Sequence, residues 1–496
     1  MREKIFVAIK NFVNIGYSLI FLILAVKMLI NTQDILKTLA LATMFVFVSW
    51  GVPKLLNKMK NSGTVKLLLL VLFAVLQMIF FVTVAIPSSW DPFYIRLFAE
   101  YGVDSTITDY FAKWPNNTFI AMVVHIWVHV TGKIIPFVGA YKRMVMFNII
   151  VVDTAVVATY ICGKKLFGEK QADSLMTTAI MMIAVSPWME VVYTDTLAAA
   201  FPILFVCFLT MFAVSPKSYA GIIYLVMAFF TAVIGINVKP TVAMVVIATA
   251  IAVMLGEKKI ITKQFLKKAA VVCVACITAL GIVKAVSRPI IQYNETYHPA
   301  EKARGLYYFL DTGLNSFGEG IWTIEVFGWH NDNINDPDYE QLAKDRIIKT
   351  IKSYGVKGMI EHSYKKLLFM GTDGTFWFGR EGSFYSEDFA DENTLKGKLQ
   401  NYINVESLFY KNWLSVWQNA MWIVVCIQSI FAFRYKAKDE ICDNIIFISK
   451  LAVGGLFLYL MIFENRSRYI FLYLPVMIMT AQTGALAIKQ RLFKNK

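Results

Sequence analysis

Thr118-Phe119-Ile120-Ala121-Met122-Val123-Val124-His125-Ile126-Trp127-Val128-His129-Val130-Thr131-Gly132-Lys133-Ile134-Ile135 is apolar enough to enter a bilayer. Whether it crosses decides the topology of the whole chain. Twelve other stretches of about 17–20 mostly apolar residues read as spans: 12–30, 35–52, 66–86, 143–162, 172–188, 194–214, 219–236, 240–255, 268–286, 413–433, 445–463 and 468–487. If 118–135 also crossed, Lys142 and Arg143 would be cytoplasmic, but Lys164, Lys165, Lys170, Lys258, Lys259, Lys263, Lys267 and Lys268 would lie outside. If it does not cross, the basic clusters at 54–66, 164–170, 258–268, 434–438 and 489–496 all become cytoplasmic, which satisfies the positive-inside rule far better. The segment is therefore read as juxtamembrane or re-entrant. The expected fold is an all-α membrane protein of about twelve transmembrane helices, with both termini cytoplasmic.

Composition agrees. Of the 496 residues 57% are hydrophobic, against roughly 45–50% in soluble chains. The net charge of +15 is unevenly placed, because residues 288–412 carry 14 Lys/Arg and 18 Asp/Glu. An acidic block between lysine-flanked spans fits an exterior region with basic loops inside, and argues against nucleic acid as a partner. Cys162, Cys207, Cys273, Cys276, Cys426 and Cys442 all lie outside 288–412, so no disulfide framework holds that region. Cys273 and Cys276 have metal-like spacing but sit in an apolar helix without histidine, and read as packing residues. The first 30 residues have basic flanks, Lys27 interrupts their apolar run, and no cleavage pattern follows; they read as an uncleaved span.

This topology leaves 87–142, 189–194, 237–240, 288–412 and 464–467 outside. Three modules follow: residues 1–287 as an N-terminal transmembrane module with outer loop 87–142, residues 288–412 as a small extracytoplasmic α(+β) domain, and residues 413–496 as C-terminal helices. Within 288–412, Asp336-Pro337 opens an amphipathic helix carrying Leu342, Ile347, Ile348, Ile351 and Tyr354. A second helix spans Lys357 to Met370, followed by the turn Gly371-Thr372-Asp373-Gly374 and the aromatic run Phe376-Trp377-Phe378.

Candidate chemistry gathers in the outer loops. Ile86-Pro87-Ser88-Ser89-Trp90-Asp91-Pro92 places a carboxylate just past a span. Asp91 reads as an N-cap with Pro92 at the first helical position, opening a flat helix with Tyr94, Leu97, Phe98 and Tyr101 on one side. A cap can also be a catalytic base. Asp195, in Tyr193-Thr194-Asp195, is a second acid at the same boundary and would face the same compartment. Arg466 and Arg468 stand in a short outer loop where the positive-inside rule disfavours them, and their fork of donors suits phosphate oxygens. Lys239, which snorkelling explains equally well, and Arg143 are weaker candidates for the same lipid phosphate. His125 and His129 have the i,i+4 spacing of a metal pair without the intervening Glu of H-E-x-x-H. Packing or contact with a sugar accounts for them better. There is no P-loop or Rossmann glycine pattern.

In order along the chain, these pieces resemble the GT-C superfamily of membrane glycosyltransferases, in particular bacterial relatives of protein O-mannosyltransferases and aminoarabinose transferases. The resemblance rests on the early loop with Asp91, Arg143 opening a span that ends Gly163-Lys164-Lys165-Leu166-Phe167-Gly168, Pro187 to Asp195, and Glu464 to Pro475. It covers 66–215 well, the C-terminal spans loosely and 288–412 hardly at all. It implies a sugar donor on a polyprenyl phosphate, used at the outer face of the plasma membrane with inversion, Asp91 as base and Asp195 as second acid. The family's first loop often has two adjacent acids; here Pro92 follows Asp91, so no cofactor is assigned and a divalent metal stays open. The Lys/Ile/Phe-rich composition looks bacterial, which makes the expected acceptor a cell-envelope glycopolymer or glycolipid, such as a teichoic acid or wall polysaccharide. Two rivals stand beside it: a ligase moving a whole lipid-linked polymer, and a lipid-linked sugar transporter.

Overall fold

The computed structural model describes residues 2–104, 109–256, 262–316, 319–381 and 384–492; Lys258, Lys259 and the tail 493–496 lie outside them. Among the described residues the regular structure is helical, with one isolated antiparallel bridge between Ser88 and Tyr385 and no strand. Among the described residues ten helices are long and apolar enough to cross a membrane: Lys4–Asn31, Ile35–Leu56, Ser62–Val84, Ala140–Phe167, Thr194–Val214, Tyr219–Val238, Lys263–Tyr297, Tyr410–Arg434, Glu440–Ile462 and Ser467–Arg491. Lipid offers the backbone no hydrogen-bond partners, so apolar segments of this length close their bonds internally as helices. The chain is an all-α, multi-pass membrane protein.

Two of the twelve expected spans are shorter. The segment expected at 172–188 is Glu169–Ala179 prolonged by a π turn at Ile180–Ala184, and that at 240–255 is Pro240–Gly256. At about 1.5 Å per residue each reaches roughly 25 Å, less than a hydrocarbon core of about 30 Å. Both still join the two ends of the bundle. At one end Lys438 donates to the Lys165 carbonyl (3.0 Å), Lys66 pairs with Asp173 (2.7 Å), Lys10 pairs with Asp443 (2.7 Å), and Gly256 lies beside Phe6. At the other end Tyr193 and Lys239 line one cavity.

Thr118–Ile134 starts and finishes at that cavity end. Asn117, just before it, lines the cavity, and Tyr141, just after it, donates its hydroxyl to the Glu190 carbonyl (2.7 Å). His125 and His129 stack at 4.0 Å, and each uses Nδ1 on a backbone carbonyl.

The axis of the bundle is Ser467–Arg491, 94% of whose apolar window is buried. A Cβ on Gly484 would fall 1.7 Å from the Gln428 carbonyl oxygen, so only glycine admits the Ser415–Phe431 helix this closely. From that axis the core continues without a break into Leu367, Met370, Phe376, Phe378, Phe384 and Ile403. The expected α(+β) domain at 288–412 is thus corrected: its described residues are helices and loops sharing the bundle's core. The boundary at 287/288 also falls inside Lys263–Tyr297, because Val283, Ser287 and Ile290 keep one face of that helix buried across it. Cys273 is exposed on the same helix and Cys276 half-buried, so they do not pack the core.

The two helices expected in 336–370 form one run, Tyr339–Gly371, broken at Gly355 with φ 57° and ψ −173°. Asp338 takes the N-cap position, and Asp336 accepts the Asp338 N–H instead (2.8 Å). A Cβ at Gly355 would meet nothing within 4 Å, so Gly355→Ala isolates backbone strain from packing. That backbone region is essentially glycine-only, and alanine is expected to cost about 1–3 kcal/mol. Gly281→Ala, in a helix interior and equally open, should be neutral or stabilising by roughly 0.5–1 kcal/mol. Thermal unfolding of the two variants should move in opposite directions.

Candidate functional site

Loops following the third, fifth, seventh, ninth and eleventh passes meet at one end of the bundle around a cavity of about 770 Å³, within the usual range for small-molecule sites. Asp91, Tyr193, Lys239, Arg304, Glu381, Glu464, Arg466 and Arg468 all line it. Aromatic rings supply much of the remaining wall, including Trp90, Tyr110, Trp114, Trp322, Trp377 and Tyr469.

Asp91 is placed by backbone on both sides. Ser89 N donates to Phe384 O (3.0 Å) and Ser386 N to Pro87 O (2.9 Å), which docks the loop on a segment about 300 residues away. Ile86 N donates to the buried Glu190 carboxyl (3.2 Å), whose proton affinity burial raises well above normal. The cap expectation is corrected here. Trp90 occupies the N-cap position, and Asp91 is the first residue of the helix Asp91–Tyr101. Its Oδ2 accepts the Tyr193 hydroxyl at 2.8 Å instead. The buried face of this helix is Ile95, Phe98 and Ala99, while Tyr101 is exposed.

A second phenol is near by: Tyr110 stacks on Tyr94 at 4.1 Å and accepts from Asn117 Nδ2 (2.7 Å). Burial and then the Asp91 charge hold both phenols far above their ordinary titration, so both stay protonated. The Tyr193 hydroxyl orients a carboxylate that is half-buried and lines the cavity.

Asp195 is differently placed. It is fully buried behind the wall, with Lys239 Nζ 2.6 Å from Oδ1 and Arg468 Nε 2.9 Å from Oδ2. The expectation of a second catalytic acid is corrected: both oxygens are occupied by cations, and its geometry is that of a positioning residue. Arg468 also pairs with Glu381, which Arg466 reaches from its other oxygen (3.0 Å). Arg466 Nε lies 3.6 Å from Glu464. Burial lowers the proton affinity of Lys239 against the pull of Asp195, and raises that of Glu464 against the pull of both arginines. Three cations, Lys239, Arg466 and Arg468, thus face three carboxyl groups, Asp195, Glu381 and Glu464, and burial works against the charge of Lys239 as it does against that of Glu464. Arg468 lies over Trp90 (4.3 Å) and Lys239 over Tyr469 (3.9 Å), which holds both heads in place.

Region 288–412 also contributes to the wall, with Arg304, Trp322, Trp377 and Glu381. Lys366, fully buried, donates to Gly313 O and Phe463 O (2.7 Å each), tying that region to the arginine loop; burial lowers its titration to about 7. Phe376 and Trp377 both sit in the left-handed region, at φ 53° and 63°, costing on the order of 1–3 kcal/mol each. Asp373 holds this turn by accepting from Thr375 N (2.9 Å) and Trp377 N (3.2 Å). The strain puts Phe376 into the core and Trp377 into the cavity wall.

Arg143 does not join the site. Its guanidinium donates to the Val138 carbonyl and lies beside Gly132, away from the cavity, so its assignment to lipid phosphate is corrected. Among the described residues no three His, Cys, Asp or Glu side chains gather as a metal site. Asp153 and Lys450, two ionisable groups within spans, are bonded internally to Gln77 (3.1 Å) and to Asn14 (2.7 Å).

Glu381, Arg304 and Tyr110 escaped sequence reasoning. Each is one residue among many of its kind in a long polar segment, and no local pattern sets it apart. Glu381 alone had a signal: it follows the Phe376-Trp377-Phe378 run directly after Gly379-Arg380.

No curated protein and no solved structure matches the chain. A family model does, from residue 12 to residue 488, under the description conserved hypothetical integral membrane protein. With nearly its whole length matched, the chain belongs to that family of conserved hypothetical integral membrane proteins.

Proposed function

We propose that this protein is a membrane glycosyltransferase of the GT-C type, which moves a sugar from a polyprenyl phosphate to a hydroxyl of a cell-envelope polymer, such as a teichoic acid or wall polysaccharide. The observation that carries this is the convergence in one cavity of a carboxylate oriented by a phenol and a cluster of two arginines and a lysine. In the proposed step the acceptor oxygen attacks the anomeric carbon and gives its proton to Asp91. The bond from that carbon to the phosphate oxygen breaks, with inversion, and the departing lipid phosphate takes the electron pair. General-base help from a placed carboxylate is worth about 10²–10⁴-fold. Arg466, Arg468 and Lys239 are positioned to stabilise the leaving phosphate, in a site walled from water by aromatic rings. Aromatic faces also suit the apolar faces of a sugar ring.

The cavity end is assigned to the outer side of the plasma membrane, because Lys10, Lys66, Lys165 and Lys438 cluster at the opposite end. Cysteines placed at exposed Asn116 and Ser353 should both react with an impermeant thiol reagent added to intact cells, and one at exposed Lys60 should not. Labelling of Lys60→Cys alone would reverse the orientation. The activity itself is tested by transfer of labelled sugar from purified polyprenyl-phosphate donor to envelope polymer in membranes containing the protein. Absence of transfer across such donors would overturn the assignment.

A further inference from the structure

Every cation of the cavity wall but one has an acidic neighbour. Lys239 and Arg468 pair with Asp195, Arg466 with Glu381, and Arg380 lies 3.7 Å from Asp373. Arg304 does not: among the described residues no carboxylate lies within ion-pair distance of it. It is only 5% exposed, it lines the cavity, and its Nε is buried without a hydrogen-bond partner. Its recorded side-chain contacts are a hydrogen bond from Nη2 to the neutral amide of Asn331 (2.8 Å) and the Phe327 ring 5.4 Å away. A guanidinium cannot shed its proton to escape burial. A buried charge with no counter-charge is strongly disfavoured unless something else supplies one.

Its position says which part of a ligand would do so. Arg304 N donates to Lys113 O (2.9 Å), at the end of the short helix Asp109–Lys113 whose Tyr110 lines the cavity with Asp91 and stacks on Tyr94 of the Asp91 helix. The next residue, Trp114, packs its ring on Tyr308 (5.3 Å) and Phe309 (6.2 Å), and Asn116 and Asn117 extend the same wall. Arg304 therefore belongs to the wall that carries Tyr110, whereas Arg466 and Arg468 belong to the loop at the head of the central helix.

We propose that Arg304 forms a second anion subsite in this cavity, on the side of Asp91, and that it receives a phosphate group of the acceptor. The acceptor is then a phosphodiester-containing polymer or lipid rather than a neutral glycan. Naming this anion as the acceptor's rests on the transferase assignment. The existence of the subsite does not, and it is measured by binding, without turnover.

The test uses the purified full chain in detergent, with the cavity tryptophans Trp90, Trp114, Trp322 and Trp377 as fluorescence reporters. The probes are sn-glycerol 3-phosphate for the acceptor phosphate, farnesyl phosphate for the donor phosphate, and glucuronate as a carboxylate control. Arg304→Gln should weaken glycerol phosphate binding roughly tenfold or more, as expected for loss of a charge-assisted bond. Farnesyl phosphate should stay within about twofold, since its partners are elsewhere, and glucuronate should bind more weakly than glycerol phosphate. Ligand-free Arg304→Gln should melt at or above the wild-type temperature, because an uncompensated buried charge has been removed. A lower melting temperature would make Arg304 a structural residue and overturn the subsite. So would unchanged glycerol phosphate affinity, or no saturable binding by the wild type. Equal weakening of farnesyl phosphate would move Arg304 to the donor site, and preference for glucuronate would overturn the phosphate assignment. If Asp91→Asn proves fully active while these results hold, the anion subsite survives and the transferase assignment fails.

Discussion

Asp91→Asn is expected to lower sugar transfer by about 10²-fold or more while leaving the amount of folded protein unchanged. Two features of the structure make this substitution clean. Asp91 is not the cap of its helix, so no cap is lost, and an asparagine oxygen can still accept the Tyr193 hydroxyl that now meets Oδ2 at 2.8 Å. What asparagine cannot do is take a proton. Tyr193→Phe is the companion: it keeps the base and removes the hydroxyl that orients it, so a smaller loss is expected. The measurement is transfer in membranes from purified donor, normalised to protein. Wild-type transfer by Asp91→Asn would falsify the base assignment.

Arg468→Ala should behave differently, and mainly through stability. Arg468 is buried between Asp195 and Glu381, and removing it takes one of two cations from each, leaving Asp195 only Lys239 and Glu381 only Arg466. Breaking a buried pair from one side costs about 3–5 kcal/mol, so loss of folded protein is expected before any loss of catalysis can be read. Transfer should be lost as well if Arg468 also serves the leaving phosphate. Arg468→Lys keeps the charge but not the fork and cannot hold both carboxylates in the same way. Thermal unfolding in detergent checks the first part and the transfer assay the second. If Arg468→Ala melts like wild type, the buried network is not what holds these loops together.

Much of the fold was legible because lipid makes it so. A bilayer allows few backbone solutions, and twelve apolar stretches with lysines at alternate ends leave little freedom in the order of the passes. Even the reading of 118–135 could be made from charge alone, because a wrong parity would strand eight lysines on the wrong side. The break at Gly355 falls between the two helices read from the sequence, one carrying Leu342 to Tyr354 and one from Lys357 to Met370. Parity also put Asp91, Asp195, Lys239, Arg466 and Arg468 at one end, since each follows an odd-numbered pass.

Only the tertiary structure decided what those residues are to one another. Asp91 and Asp195 look alike in sequence, each a carboxylate near the start of a helix. Packing makes one an oriented group at a cavity and the other a buried counter-ion, because Lys239 and Arg468 reach Asp195 from loops 44 and 273 residues away. Arg143 looked like its fellow arginines and fell outside because its own helix turned it toward Val138. Region 288–412 read as a separate domain because its charge differs from that of the spans, yet its apolar residues complete the bundle's core. Arg304 and Tyr110 carried no local signal at all. Hydropathy and net charge are sums over neighbours in the chain, whereas a site depends on side chains that meet across it, and only the packed helices specify which do.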